Sequence, residues 1–155
     1  TPNALYRHIH DKAGLHVAIG AAAAEELIAA LLVRTRAKRP LLVLAERYLR
    51  FAVERPDAYA AFMQAKPEPD DARVQPWIRL WLIVRTEVAK EVPNAADAAG
   101  FALWAFLHGR AQLALGPARG ATWDAGLEDA VCALMQGFLQ TSPVASPLPE
   151  GLAQD

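Results

Sequence analysis

One cysteine, Cys132, stands in 155 residues. That excludes an internal disulfide and a multi-cysteine zinc cluster, and it fits a reducing, cytoplasmic compartment. No Asn-Gly or Asp-Gly pair occurs, and no Val/Ile/Thr alternation is sustained. The hairpin and strand signals of a β-domain are therefore missing. No charged-apolar-small leader opens the chain, and no uninterrupted apolar run is long enough to cross a bilayer, so no membrane partner is expected. A net charge of −1 gives no global attraction to nucleic acid or anionic lipid, which leaves only local patches for that purpose. G-x-S-x-G, P-loop, H-E-x-x-H and Gly-rich dinucleotide motifs are absent, so no enzyme is expected. His8, His10 and His16 have no Cys or carboxylate at ligand spacing; neither a metal nor a cofactor is expected. The first residue is Thr1 rather than Met, which reads as a start inside a larger unit.

What is present is apolar, at 54%, and much of it is alanine. Alanine favours helix at little entropic cost, so the expectation is one all-α domain. Prolines and caps divide it. Thr1-Pro2 opens a short helix to Ile9, and Asp11 caps a helix running to Arg36. Arg34, Arg36, Lys38 and Arg39 then sit where cations suit the negative end of a helix dipole. Further helices are expected over 40–54, 56–64, 71–91, 95–115 (capped by Asn94) and 123–140. Loops take 66–71 and 118–122, and the Pro- and Ser-rich stretch 142–155 reads as a disordered tail.

The helix faces carry more information. In 71–91, Val74, Trp77, Ile78, Trp81, Val84, Arg85 and Val88 follow helical spacing and predict one inward stripe. In the last helix, Leu127, Val131, Leu134 and Phe138 form a seam suited to packing on another helix. In 95–115, Phe101, Leu103, Trp104, Phe106, Leu107, Leu113 and Leu115 point almost all round. Such a helix is either a central core helix or one that also packs on a second copy of the chain. The second is favoured, with Phe101, Phe106, Leu127, Val131, Leu134 and Phe138 at a homodimer interface.

The opening TPNALYRHIHDKAGLH resembles the end of a TetR-type DNA-binding domain, through Leu5, Tyr6, His8, Ile9, Lys12 and Leu15. Ile9 stands where Phe is commoner. FALWAFLHGRAQLALG resembles the Trp-His-Gly segment of one branch of the family's regulatory domains, through Trp104, His108 and Gly109. The resemblance implies a TetR-like all-α fold. Residues 1–16 would be the end of a helix-turn-helix unit, and 17–141 a ligand-binding and dimerisation domain. It further implies a dimeric, ligand-responsive regulator, a repressor by preference, on a palindromic DNA operator. Thr1, Pro2 and Asn3 would face base edges, while Tyr6, His8 and Lys12 would meet phosphates.

A small apolar or aromatic effector would release the DNA. Tyr59, Phe62, Met63, Trp77, Trp81, Trp104 and His108 are the candidates to line its pocket, with Gln112 and Arg85 as polar groups. The alternative is a helical small-molecule-binding or interaction module that binds no DNA.

Overall fold

The computed structural model describes residues 12–33, 37–116 and 124–140. Among them all regular structure is helical. The helices are α1 (Lys12–Leu31), α2 (Pro40–Glu54), α3 (Pro56–Gln64), α4 (Gln75–Glu91), α5 (Ala96–Leu115) and α6 (Leu127–Gln140). Short 3-10 turns at Ala72–Val74 and Pro93–Ala95 lead into α4 and α5.

Local chemistry explains most of the boundaries. Pro40 and Pro56 occupy the first turns of α2 and α3, where the missing N–H has no helical partner to lose. Asp71 accepts the backbone N–H of Arg73 and caps the turn before α4. Three expectations fail. α1 stops at Leu31, short of Arg36, because Arg47 from α2 donates to the carbonyls of Leu31 (3.0 Å) and Val33 (2.5 Å). A guanidinium thus takes the place of a further helical turn. α6 starts at Leu127, not 123, because Gly126 is left-handed at φ 63° and cannot join a right-handed helix. Arg110 pins that turn to α5 by donating to the carbonyl of Ala125 at 2.8 Å. Asn94 lies within the 3-10 turn and caps nothing; α5 begins without a side-chain cap. The expected cap Asp11, residues 34–36, the 118–122 loop and the 142–155 tail lie outside the described residues.

The central element is α2, which touches all five other helices. Its Leu41, Leu44, Ala45, Tyr48, Leu49, Phe51 and Ala52 are buried. The apolar α5, expected to be buried all round or shared with a second copy, buries one stripe: Ala96, Ala99, Gly100, Leu103, Leu107 and Ala111. Phe101 and Leu113 on its other side are 65% and 70% exposed. The inward stripe of α4 is also rotated from its expected position. It is centred on Pro76, Leu80, Val84 and Val88. Ile78 and Arg85 face out, while Trp77 and Trp81 flank the stripe half-buried.

By length and composition α1 is apolar enough to cross a membrane, although Glu25 and Glu26 interrupt its apolar run. Its surroundings fit a core helix instead. Val17, Gly20, Ala23, Ala24, Leu27, Ile28 and Leu31 are buried against the other helices. Glu25 and Glu26 pair with Arg79 and Arg55 at 2.8 and 2.7 Å.

The packing of α1 on α3 depends on a missing side chain. A Cβ built at Gly20 would lie 2.2 Å from Cβ of Ala65 and 3.0 Å from the carbonyl oxygen of Ala61. Neither obstacle is the end of a flexible side chain. A Gly20→Ala change gains about 1 kcal/mol of helix propensity, but overpacking of this kind costs about 1–3 kcal/mol. The expected result is a lower unfolding temperature by circular dichroism for Gly20→Ala, recovered when Ala65→Gly is added. A Gly20→Ala chain more stable than the parent would refute the close approach.

Candidate functional site

Four helices converge on a group of rings. Tyr59 and Phe62 lie one turn apart on α3, Trp77 and Trp81 on α4, and Trp104 and His108 on α5, so each pair shares a helix face. Phe62 stacks on Trp77 with centroids 6.0 Å apart and tilts against Trp104 at 6.4 Å. Trp81 meets Trp104 at 6.4 Å and stacks on Phe101 at 4.2 Å. Gly100 makes room for this stack, since a Cβ there would sit 3.0 Å from Cη2 of Trp81. The spacings are those of attractive offset and edge-to-face ring pairs.

One end of the cluster is polar. The hydroxyls of Tyr48 and Tyr59 are 3.2 Å apart, and the Tyr59 hydroxyl is 2.6 Å from Nδ1 of His108. When that nitrogen carries no proton, Tyr59 donates to His108 and Tyr48 donates to Tyr59. Both tyrosines are buried. Burial drives the Tyr48 phenol far above its ordinary range, with Tyr59 adding to the rise. It raises Tyr59 as well, partly offset by hydrogen bonds with Tyr48 and Gln112. The result is an apolar, ring-lined region with one hydrogen-bonding end, chemistry suited to a small aromatic molecule with one polar group.

The candidates fare unequally. Tyr59, Phe62, Trp77, Trp81, Trp104 and His108 come together. Met63 packs half-buried at the edge of the core. Gln112 is exposed but reaches Tyr59. Arg85 is on the surface, where its Nε donates to Asp97 at 2.5 Å, so it brings no charge to the rings. Tyr48 was missed. Its only signal was a polar-tipped ring within the apolar stripe of α2. Of the expected interface residues, Phe101 is exposed and Phe106, Leu134 and Phe138 are half-buried. Leu127 and Val131 are 2% exposed and belong to the chain's own core, because α6 turns that seam toward α2 and α5. Lys12 is exposed in the first turn of α1. Thr1, Pro2, Asn3, Tyr6 and His8 lie outside the described residues.

An open groove of about 600 Å³ lies elsewhere, between α1 and α2. It is floored by Ala29, Ala30, Val33 and Phe51, and none of the expected effector residues lines it. No group of three potential metal ligands occurs among the described residues.

The family model described as the tetracyclin repressor-like C-terminal domain matches residues 41–138. No curated protein and no solved structure matches.

The two buried phenols make stability depend on alkaline pH. In the unfolded chain a phenol ionises near pH 10. A folded-state pKa raised above that value stabilises the fold fully below it, and the contribution is lost as pH rises from there toward the folded value. The unfolding temperature is therefore expected to drop above about pH 10, and Tyr48→Phe and Tyr59→Phe to flatten the drop. An unchanged profile in the double Phe variant would contradict the burial of these hydroxyls.

Proposed function

The chain belongs to the tetracyclin repressor-like C-terminal domain family, and from that premise we propose that it forms the sensing and dimerising part of a ligand-responsive transcription regulator. The favoured activity is repression. A dimer holds a palindromic operator, and a small apolar or aromatic effector releases it. The observation that carries the reading is the ring cluster with its polar end at Tyr48, Tyr59 and His108. An effector sits among Phe62, Trp77, Trp81 and Trp104 and exchanges hydrogen bonds with Tyr59, His108 or Gln112. Met63 closes one edge. Arg85 takes no part, since Asp97 engages it at the surface.

The dimer face we infer is the exposed ridge Phe101, Ala105, Gly109 and Leu113 on α5, beside Leu134 and Phe138 on α6. Small residues at its middle and large ones at its ends suit an isologous crossing of two copies. A Cβ at Gly109 or at Gly137 would meet nothing within 4 Å, so both positions have room for a neighbouring backbone. Leu127 and Val131 support this face from beneath. Thr1, Pro2, Asn3, Tyr6, His8 and the exposed Lys12 are proposed as the DNA-facing group. Half-sites about 34–36 Å apart, or a multiple of that, then demand a fixed separation of two copies. Tilting α1 breaks the match.

The family match covers the sensing half, which leaves one rival: a helical small-molecule-binding module without DNA binding. One experiment separates them. Full-length gene product is tested by gel shift on the DNA flanking its own gene, across salt concentrations. Affinity that falls steeply with salt reports phosphate contacts, and loss of the shift with an aromatic compound reports the switch. Absence of any specific complex would leave the module reading, and equal affinity with and without every compound tested would discard the switch. For the interface, Leu113→Glu is expected to convert dimer to monomer in sedimentation equilibrium with helical content unchanged. A parent chain that sediments as a monomer would discard the proposed face.

A further inference from the structure

The segment between α3 and α4 joins the two helices that bring Tyr59, Phe62, Trp77 and Trp81 to the ring cluster. Within it, the Arg73 side chain is held on two sides by hydrogen bonds. Its Nε donates to both carboxylate oxygens of Asp71, at 2.9 and 3.0 Å, and its Nη2 to Oδ2 at 2.6 Å. The backbone N–H of Arg73 donates to the same carboxylate at 2.8 Å. The guanidinium in turn holds Asp71 below the ordinary carboxylate range. The remaining arm of the fork, Nη1, donates to the carbonyl of Gly14 at 2.8 Å. Gly14 lies in the first turn of α1, six residues before the close approach at Gly20.

α1 is thus attached at two points, to α3 and to the segment that follows it. At Gly20 it lies backbone-close on α3, with no room to slide inward. About 9 Å along its axis, Arg73 ties its first turn to the segment leading from α3 to α4. A change in spacing between α3 and α4 moves the tie relative to the contact at Gly20, and α1 must tilt about that contact.

We propose that Arg73 is the positioning residue through which the ring cluster sets the direction of the first turn of α1. It acts through a planar fork that Asp71 engages on one side while Nη1 donates to the carbonyl of Gly14. A lysine at this position would keep the charge and lose that geometry. The role rests on the proposed sensing function of the cluster, but its mechanical part does not require an effector.

The test is hydrogen–deuterium exchange on the whole chain without DNA or effector, so its outcome is independent of the operator experiment. The probes are the amides of residues 16–18, the first bonded donors of α1. Arg73→Lys and Asp71→Asn are each expected to speed their exchange roughly three- to tenfold, the effect of losing a partly solvated, charge-assisted hydrogen bond. Amides of 103–111 in α5 are expected to stay as in the parent, which separates this from general loosening. Phe62→Leu, which loosens the stack on Trp77, is expected to speed exchange at 16–18 by itself but to add nothing to Arg73→Lys. Trp77→Phe, which alters the same stack from the α4 side, gives the same test should Phe62→Leu also loosen α5. Additive effects in both double variants, or Arg73→Lys leaving residues 16–18 unchanged, would overturn the proposal.

Discussion

The constraint on which this fold rests is the backbone contact of α1 with α3 at Gly20. Any side chain there collides with Ala61 and Ala65. Close approach at that point carries Ala23 and Ala24 into the interior, and Leu27, Ile28 and Leu31 into the core cluster that also holds Leu41, Leu44 and Tyr48 of α2. The far end of α1 is then close enough for Arg47 to donate to its last carbonyls, and its first turn close enough for Arg73. Without the small residue at 20, α1 would stand off by the width of a methyl group. Protein interiors have few ways to absorb such a gap.

The second organising feature is the central position of α2. Because it touches every other helix, Tyr48 projects into the space where α3, α4 and α5 bring their rings. A buried hydroxyl there requires a partner, and the Tyr59 hydroxyl and the His108 ring provide the continuation. The cluster combines shape, from stacked rings, with one polar end. The exposed charges stay outside it: Arg85 with Asp97, Arg79 with Glu25, Arg55 with Glu26. Formal charge is thus kept at the surface and hydrogen bonding within.

Much of this was legible in the order of residues. Pro40 and Pro56 mark helix starts through backbone chemistry alone, so α2 and α3 appear as expected. Pairs one turn apart put Trp77 beside Trp81 and Trp104 beside His108. The errors have a common origin. α1 ends early through Arg47, sixteen residues beyond Leu31 in sequence. α6 starts late at a left-handed Gly126 held by Arg110 from α5. Leu127 and Val131 resembled an interface seam as much as a core seam, and periodicity does not say which surface a seam meets.

Read alone, the order of residues determined that the chain is helical, roughly where its helices lie, and which rings share a helix face. Those properties depend on neighbours within a turn or two, where propensity, proline geometry and the 3.6-residue repeat act directly. Only the tertiary arrangement decided that α5 keeps a bare ridge, that Tyr48 completes the ring cluster, that Arg85 stays outside it, and that Gly20 and Arg73 attach α1 at two points. Each of these depends on the distance and angle between segments far apart along the chain. Those distances are set by which side chains fit together in three dimensions, and no local repeat records that.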